Sequence, residues 1–337
     1  MYDKFDFTEE SNAFIFGTFD KLISIKKKNK EMFDFIKNNV SLIVVDEVHR
    51  AVAPKMKDCL DSLMKFYEGK DRKLIGLTAT VGRSNFDVDE NQKLAIMFDN
   101  NIIKIDIDLL NCINYPEKMS KMLNRSEKDV IKYLQERKIL AVLERKELEY
   151  QCFMTENEIE QLKIELSRNK SNSQDLSNAL VQKLALNRKR NEAIIKEIVE
   201  LSKNKKPTIV FACSVAHAKL LSSILLTKNI KNSLVYGDQS VVEQNDQIEK
   251  FKNRDNDTNI IINYEVLTTG FDSTNIECVF ITRPTKSIVL YSQMIGRGLR
   301  GSLMGGNESC LLIDVKDNLS EYTNESEAFN YFDAYWK

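Results

Sequence analysis

The sequence predicts an α/β protein with two parallel-sheet units in tandem, joined by a helical segment. Short continuous apolar runs, β-branched or aromatic and bounded by polar residues or glycine, recur along the chain and read as strands buried on both faces. They fall into two sets separated by a charged stretch with helical patterning. The 337 residues, 42% hydrophobic and 29% charged, suit two cores of ordinary size.

In chain order, residues 1–108 form the first unit, with "AFIFGTF", "SLIVVDE", "KLIGLTAT" and "IIKIDI" as strands. Residues 109–190 form a charged, mostly helical connector. Ser126 with Asp129 and Thr155 with Glu158 have capping-box-like spacing, and "RNKSNSQDLSN" interrupts the helical pattern. Residues 191–320 form the second unit, with strands in "PTIVFAC", "NSLVYGD", "TNIIINY", "ECVFIT" and "SCLLIDV". The tail, 321–337, ends in "EAFNYFDAYWK", whose aromatics are expected to dock on a surface.

A net charge of −1 gives no global pull toward nucleic acid, so such a site has to be local or built from backbone amides and hydroxyls. The lysine clusters at 26–30 and 203–206 read as solvated loops or helix ends. Six scattered cysteines without a C-x-x-C pair, and only two histidines, argue against zinc. The same cysteine usage fits a reducing cytoplasm. No signal peptide and no apolar stretch long enough to span a bilayer is seen, so no membrane partner is expected.

The chemistry concentrates in a few places. "LIVVDEVHR" delivers Asp46 and Glu47 at the carboxyl end of a strand, where open parallel sheets bind ligands. One carboxylate can hold magnesium through water while its neighbour activates the attacking water. Taken alone, the pair reads equally well as a charged turn. "LIGLTAT" ends in Thr78 and Thr80, whose hydroxyls can bond neighbouring loops. "VLTTGFD" places Gly270 and Asp272 after a strand. In "YSQMIGRGLRG", Gln293, Arg297 and Arg300 are spaced to share one helical face, and arginine suits charge developing on a transferring phosphoryl group.

Together these motifs resemble the superfamily 2 helicases and translocases of the DExH kind, and within them the bacterial helicases related to restriction-enzyme motor subunits. "DEVH", "TAT", "TIVFACSVAHAKLL", "VLTTGFD" and "QMIGRGLRG" are similar to motifs II to VI, and "FGTFDKL" to a motif touching the nucleic-acid backbone. The resemblance implies two RecA-like domains, with ATP and magnesium (Mg2+) as cofactors. Asp46 would be the metal residue, and Glu47, Arg297 and Arg300 the catalytic ones. His49, Thr78, Thr80, Gly270, Asp272 and Gln293 would serve ATP binding and coupling, with Asp272 near the ribose. Thr18, Ser214 and Thr268 would contact nucleic acid. Two positions depart from the pattern: Val81 stands where proline is usual, and Gln244 where arginine is common.

A larger departure is that no G-x-x-x-x-G-K-[ST] phosphate loop occurs in the chain, since Gly69-Lys70 is followed by Asp71. The family carries that loop before "FGTFDKL", so the first RecA-like domain is expected to be incomplete at its amino terminus. Another chain or a missing amino-terminal segment would then supply the phosphate loop. The expected function is an ATP-dependent helicase or translocase, with DNA preferred over RNA and a restriction- or defence-like setting. The alternative is a non-catalytic nucleic-acid- or protein-binding module derived from such a motor. A nuclease has less support, because no Asp…Glu-x-Lys cluster follows a strand.

Overall fold

The computed structural model describes residues 14–65, 72–82, 88–103, 130–150, 178–253, 257–268, 271–285 and 287–315. In the first unit, β1 (Leu42–Asp46) pairs in parallel with β2 (Lys73–Leu77), Val44 opposite Ile75 and Asp46 opposite Leu77. Four helices accompany them: α1 (Phe19–Lys28), α2 (Lys30–Asn39), α3 (Pro54–Met64) and α4 (Val88–Met97). α1 starts at Thr18, whose hydroxyl accepts the Lys21 N–H, and ends in Lys26, Lys27 and Lys28, favourable at both ends of the helix dipole. Lys26 is not a freely solvated lysine: its ammonium ties α1 to α3 through Asp58 at 2.6 Å and Ser62 at 2.7 Å.

All the described helices of this unit cover one side of the sheet. Val45 packs with Leu60 of α3 and Leu94 of α4, while Ile43 meets Phe33 and Ile36 of α2 and Leu63 of α3. The other side carries Leu42, Val44, Ile75 and Leu77, each between 43% and 52% exposed. Burial on both faces therefore fails for β1 and β2, because no described element lies over the second side. Gly76 lies on the covered side, where a Cβ would stand 2.7 Å from both Phe98 and Val48.

The second unit is a six-stranded, all-parallel sheet in the order β3-β8-β7-β4-β6-β5. Its strands are β3 (Val142–Leu148), β4 (Thr208–Phe211), β5 (Ser233–Tyr236), β6 (Ile260–Tyr264), β7 (Cys278–Ile281) and β8 (Ser309–Val315). Strands β4 and β7 are buried at every residue, and β6 at all but its last, as expected for a sheet covered on both faces. Between strands run α7 (Arg188–Lys203), α8 (Val215–Thr227), α9 (Val241–Lys252) and α10 (Ile288–Gly296), preceded by α5 (Val130–Glu136) and α6 (Asn178–Ala185). One core joins α7 and α8 to the sheet and the other joins Phe251 and α10 to its opposite side. α9 begins with a full capping box, Ser240 with Glu243.

Three expectations need correction. "AFIFGTF" is not a strand: residues 14–18 have no regular secondary structure, Phe14 and Phe16 are almost fully exposed, and the Thr18 cap turns the chain into α1. The 109–190 stretch is not simply helical, since β3 lies within it and pairs along its whole length with β8. Its charges, Glu144, Arg145, Lys146 and Glu147, suit the edge of the sheet. Finally, Gln293, Arg297 and Arg300 do not share a helical face, because α10 ends at Gly296. Arg297 caps the helix, and Arg300 follows in an extended bridge to Leu140. The capping-box pairs at 126–129 and 155–158, most of "IIKIDI" and the aromatic tail lie outside the described residues.

Candidate active site

β1 ends at Asp46, and the chain turns at once into a short 3-10 turn, Val48–Arg50. The turn is made at Glu47, which adopts φ 49° and ψ 47°. A left-handed conformation costs a residue with a side chain on the order of 1 kcal/mol or more, and such strain gathers at functional sites. The Glu47 N–H donates to Asp46 Oδ1 at 2.9 Å, which fixes that carboxylate at the mouth of the strand. Burial pushes the Glu47 carboxyl above its ordinary range, and the adjacent Asp46 charge adds to the rise. Arg297 and Arg50 offset it in part.

His49 is buried and joins the two motifs of the first unit. The Thr78 hydroxyl donates to the Thr80 carbonyl at 2.7 Å and accepts the Thr80 N–H at 3.2 Å. With that proton committed, His49 Nδ1 is the donor in its 3.0 Å contact with Thr78 Oγ1. The same nitrogen is 3.2 Å from Glu47 Oε2, so the carboxylate is oriented by an imidazole that the "TAT" turn holds. Val81, next along the chain, packs against the core of the second unit.

From the second unit, Arg297 enters the same cleft. Its guanidinium donates to the Phe271 and Gln293 carbonyls. Burial pulls its pKa down, and Glu47 and Asp272 oppose that effect. Arg300 pairs with Asp272 Oδ1 at 2.5 Å. Gly298 lets this segment lie against the sheet, because a Cβ there would stand 2.5 Å from Cys310 Sγ and 2.8 Å from Val279 Cγ2. Backbone bonds from Ala141 to Leu299 and from Gly301 to Ile139 fasten it to the chain entering β3.

The structure thus gathers Asp46, Glu47, His49, Thr78, Thr80, Asp272, Arg297 and Arg300 around one cleft. Gln293 and Thr268 line an adjoining cavity of about 490 Å³ together with His49. Thr18 and Ser214 stand apart from it as the N-caps of α1 and α8. Gly270 lies outside the described residues. Arg50, Glu265 and Arg283, which also line the cavity, were not singled out from the sequence. The signals available were Arg50 directly after His49 and Arg283 directly before Pro284.

Asp46 offers one exposed carboxylate at a strand end, and no group of three or more potential metal ligands occurs among the described residues. That fits magnesium, which uses one or two carboxylates and completes its shell with water and phosphate, better than a metal caged by protein.

Residues 189–302 match the family "Helicase conserved C-terminal domain", and residues 2–83 match "Type III restriction enzyme, res subunit". The Saccharomyces cerevisiae protein "Putative ATP-dependent helicase IRC3" is 27% identical over 293 residues, covering 86% of this chain and 36% of its own length. "Putative mitochondrial ATP-dependent helicase irc3" of Schizosaccharomyces pombe is 26% identical over 298 residues, covering 87% and 41%. The chain therefore spans about two fifths or less of these relatives. Among solved structures, a fragment assigned as an HsdR subunit of a type I restriction enzyme from Vibrio vulnificus superposes with a TM-score of 0.54 at 15% identity. It covers 87% of this chain and 47% of that one. The Mycobacterium smegmatis helicase Lhr, solved with ssDNA and AMP-PNP, gives 0.51 at 15% identity, covering 88% and 31%. These likenesses establish the fold as two RecA-like domains in tandem.

Proposed function

We propose that this chain is the motor portion of an ATP-dependent helicase or translocase of superfamily 2, of the restriction-subunit kind, and that it acts on DNA. The observation that carries the proposal is the convergence of both domains on one cleft: Val81, beside the "TAT" turn that holds His49, packs against the core of the second domain, and His49 and Gln293 line one cavity. A site split between two domains suits a motor, because closing and opening the cleft couples chemistry to movement.

In this reading Asp46 would hold a magnesium ion through its water shell, and the ion would supply positive charge to the phosphates of bound ATP. Glu47 orients and deprotonates the attacking water. Arg297 and Arg300 stabilise the charge that develops on the γ-phosphoryl group. Arg300 has to leave Asp272 to do so, which frees that carboxylate for the ribose. His49, Thr78 and Thr80 relay the state of the water to the second domain through Gln293 and Val81. Thr18, Ser214 and Thr268 contact the nucleic-acid backbone, and Gly270, two positions after Thr268 in the sequence, serves ATP binding and coupling.

These 337 residues contain no phosphate-loop motif, and we propose that one is supplied by a partner polypeptide or a further segment covering the open side of β1 and β2, in preference to a first domain rebuilt around fewer strands. That need gives the second reading, a non-catalytic binding module built on the fully covered second sheet, its only specific support. The buried cysteines Cys59, Cys213, Cys278 and Cys310, none of them in a disulfide among the described residues, suit a reducing compartment, for which we propose the cytoplasm.

The test is ATP turnover with single- and double-stranded DNA and with RNA, by this chain and by this chain complemented with a phosphate-loop polypeptide. Turnover in the complemented assembly is expected to vanish in Glu47→Gln. In Arg300→Ala it should slow by ~10³, the scale of an arginine finger. Normal turnover in both variants would overturn the assignment of the cleft, and turnover stimulated only by RNA would overturn the choice of DNA.

A further inference from the structure

The cavity beside the cleft has two walls. His49, Arg50 and the start of α3 form one, and Glu265, Thr268, Arg283, Ser287 and Gln293 form the other. Asp46, Glu47, Arg297 and Arg300 do not line it, so the cavity lies beyond the His49 and Gln293 layer from the carboxylates proposed for ATP. Two arginines line it, one from each domain, against a single carboxylate.

The Arg283 side chain is 17% exposed and donates to Glu265 Oε1 at 2.9 Å. Its guanidinium carbon also sits 5.3 Å from the centre of the Tyr264 ring. Glu265 has a second role, because its carbonyl accepts the Thr268 hydroxyl at 2.5 Å. It makes both contacts from a left-handed backbone, φ 62°. The N-terminus of the nine-residue helix α10 opens beside them at Ser287, adding positive dipole to the positive side chains.

Resting on the reading of this chain as a nucleic-acid motor, we propose that the cavity seats one phosphate of the nucleic-acid backbone. Arg283 and Arg50 are its cations, and Glu265 is the group that holds Arg283 until the phosphate displaces it. A phosphodiester bound there touches both domains at once, so its seating depends on how the cleft is closed. The same oxyanion chemistry is found on the terminal phosphate of a nucleotide, but the residues proposed for ATP lie on the other side of His49.

The experiment titrates a fluorescein-labelled oligonucleotide against the intact chain at several salt concentrations, beside Arg283→Gln, Arg283→Lys, Arg50→Gln and Glu265→Gln. Loss of one phosphate contact on a single strand lowers the slope of log K against log salt by about 0.7. That drop is expected for Arg283→Gln and for Arg50→Gln, and no larger drop in the double variant, because the two arginines share one phosphate. Arg283→Lys should restore the slope, because the slope counts charge. Glu265→Gln should bind more tightly than the intact chain, since the competing carboxylate is gone. A slope unchanged in Arg283→Gln, with thermal midpoint and circular dichroism intact, overturns the seat alone. The same unchanged slope with weaker binding of a non-hydrolysable ATP analogue overturns it in favour of a nucleotide phosphate. If the intact chain binds no oligonucleotide at any salt, the motor reading itself falls.

Discussion

His217 is buried behind the corner where β4 passes into α8. The Cys213 N–H donates to its Nδ1 at 3.2 Å, so the ring proton is on Nε2, 3.0 Å from Asn191 Oδ1. Asn191 in turn donates to the Ala185 carbonyl at 2.7 Å. Burial, with the Arg190 guanidinium nearby, holds the imidazole pKa down to about 3. In the unfolded chain it titrates near 6.5. A folded pKa below the unfolded one means full stabilisation above pH ~6.5 and progressive loss as pH falls toward 3, at about 1.4 kcal/mol per unit inside that window. The urea midpoint of the second domain should therefore drop between pH 6 and pH 5, and His217→Gln should flatten that drop whatever it costs at pH 7. Parallel curves would mean that the ring is not kept neutral by burial. Residues at this scale were legible where chemistry clusters in sequence, as in Asp46-Glu47-Val48-His49. They were illegible where the cluster forms only on folding, as when Glu265 meets Arg283 across 18 positions.

Among elements, the strands of the second sheet were readable because each is a short apolar run buried on both faces. β3 was not, because "VLERKEL" is mostly charged and its strand state comes from pairing with β8 far along the chain. "AFIFGTF" misled for the converse reason: its apolar residues have no described partner strand, and a local capping signal won. The turn after α10 shows what an element boundary does for the site. A Cβ at Gly298 would meet Cys310 and Val279 within 2.8 Å, whereas one at Gly296 meets nothing within 4 Å. Gly298→Ala should therefore destabilise the domain by about 1–3 kcal/mol through overpacking and shift Arg297 and Arg300 out of register with Glu47. Gly296→Ala should be neutral, or stabilising by up to about 1 kcal/mol as alanine replaces glycine in a helix. Urea melts of both variants test the contrast, and equal midpoints would sink it.

At the level of the whole molecule, the two domains differ in how completely their sheets are covered. The second has cores on both sides, while β1 and β2 leave Leu42, Val44, Ile75 and Leu77 about half exposed. Burying those four side chains the rest of the way is worth on the order of 1 kcal/mol each, a sizeable share of the stability of a domain. Asp46 lies on that same open side, opposite Leu77, so whatever covers the apolar patch also arrives at the proposed metal site. On the proposed function, folding of the first domain and completion of the active site would be linked to one event. The linkage predicts a hierarchy in native-state amide exchange: β4, β6 and β7 slowest, β1 and β2 faster by orders of magnitude, and β1 and β2 alone slowing when a phosphate-loop polypeptide is added. Concentration-independent protection of β1 equal to that of β4, without any added polypeptide, would show that the patch does not limit the first domain. The link between its covering and catalysis would then have to be abandoned.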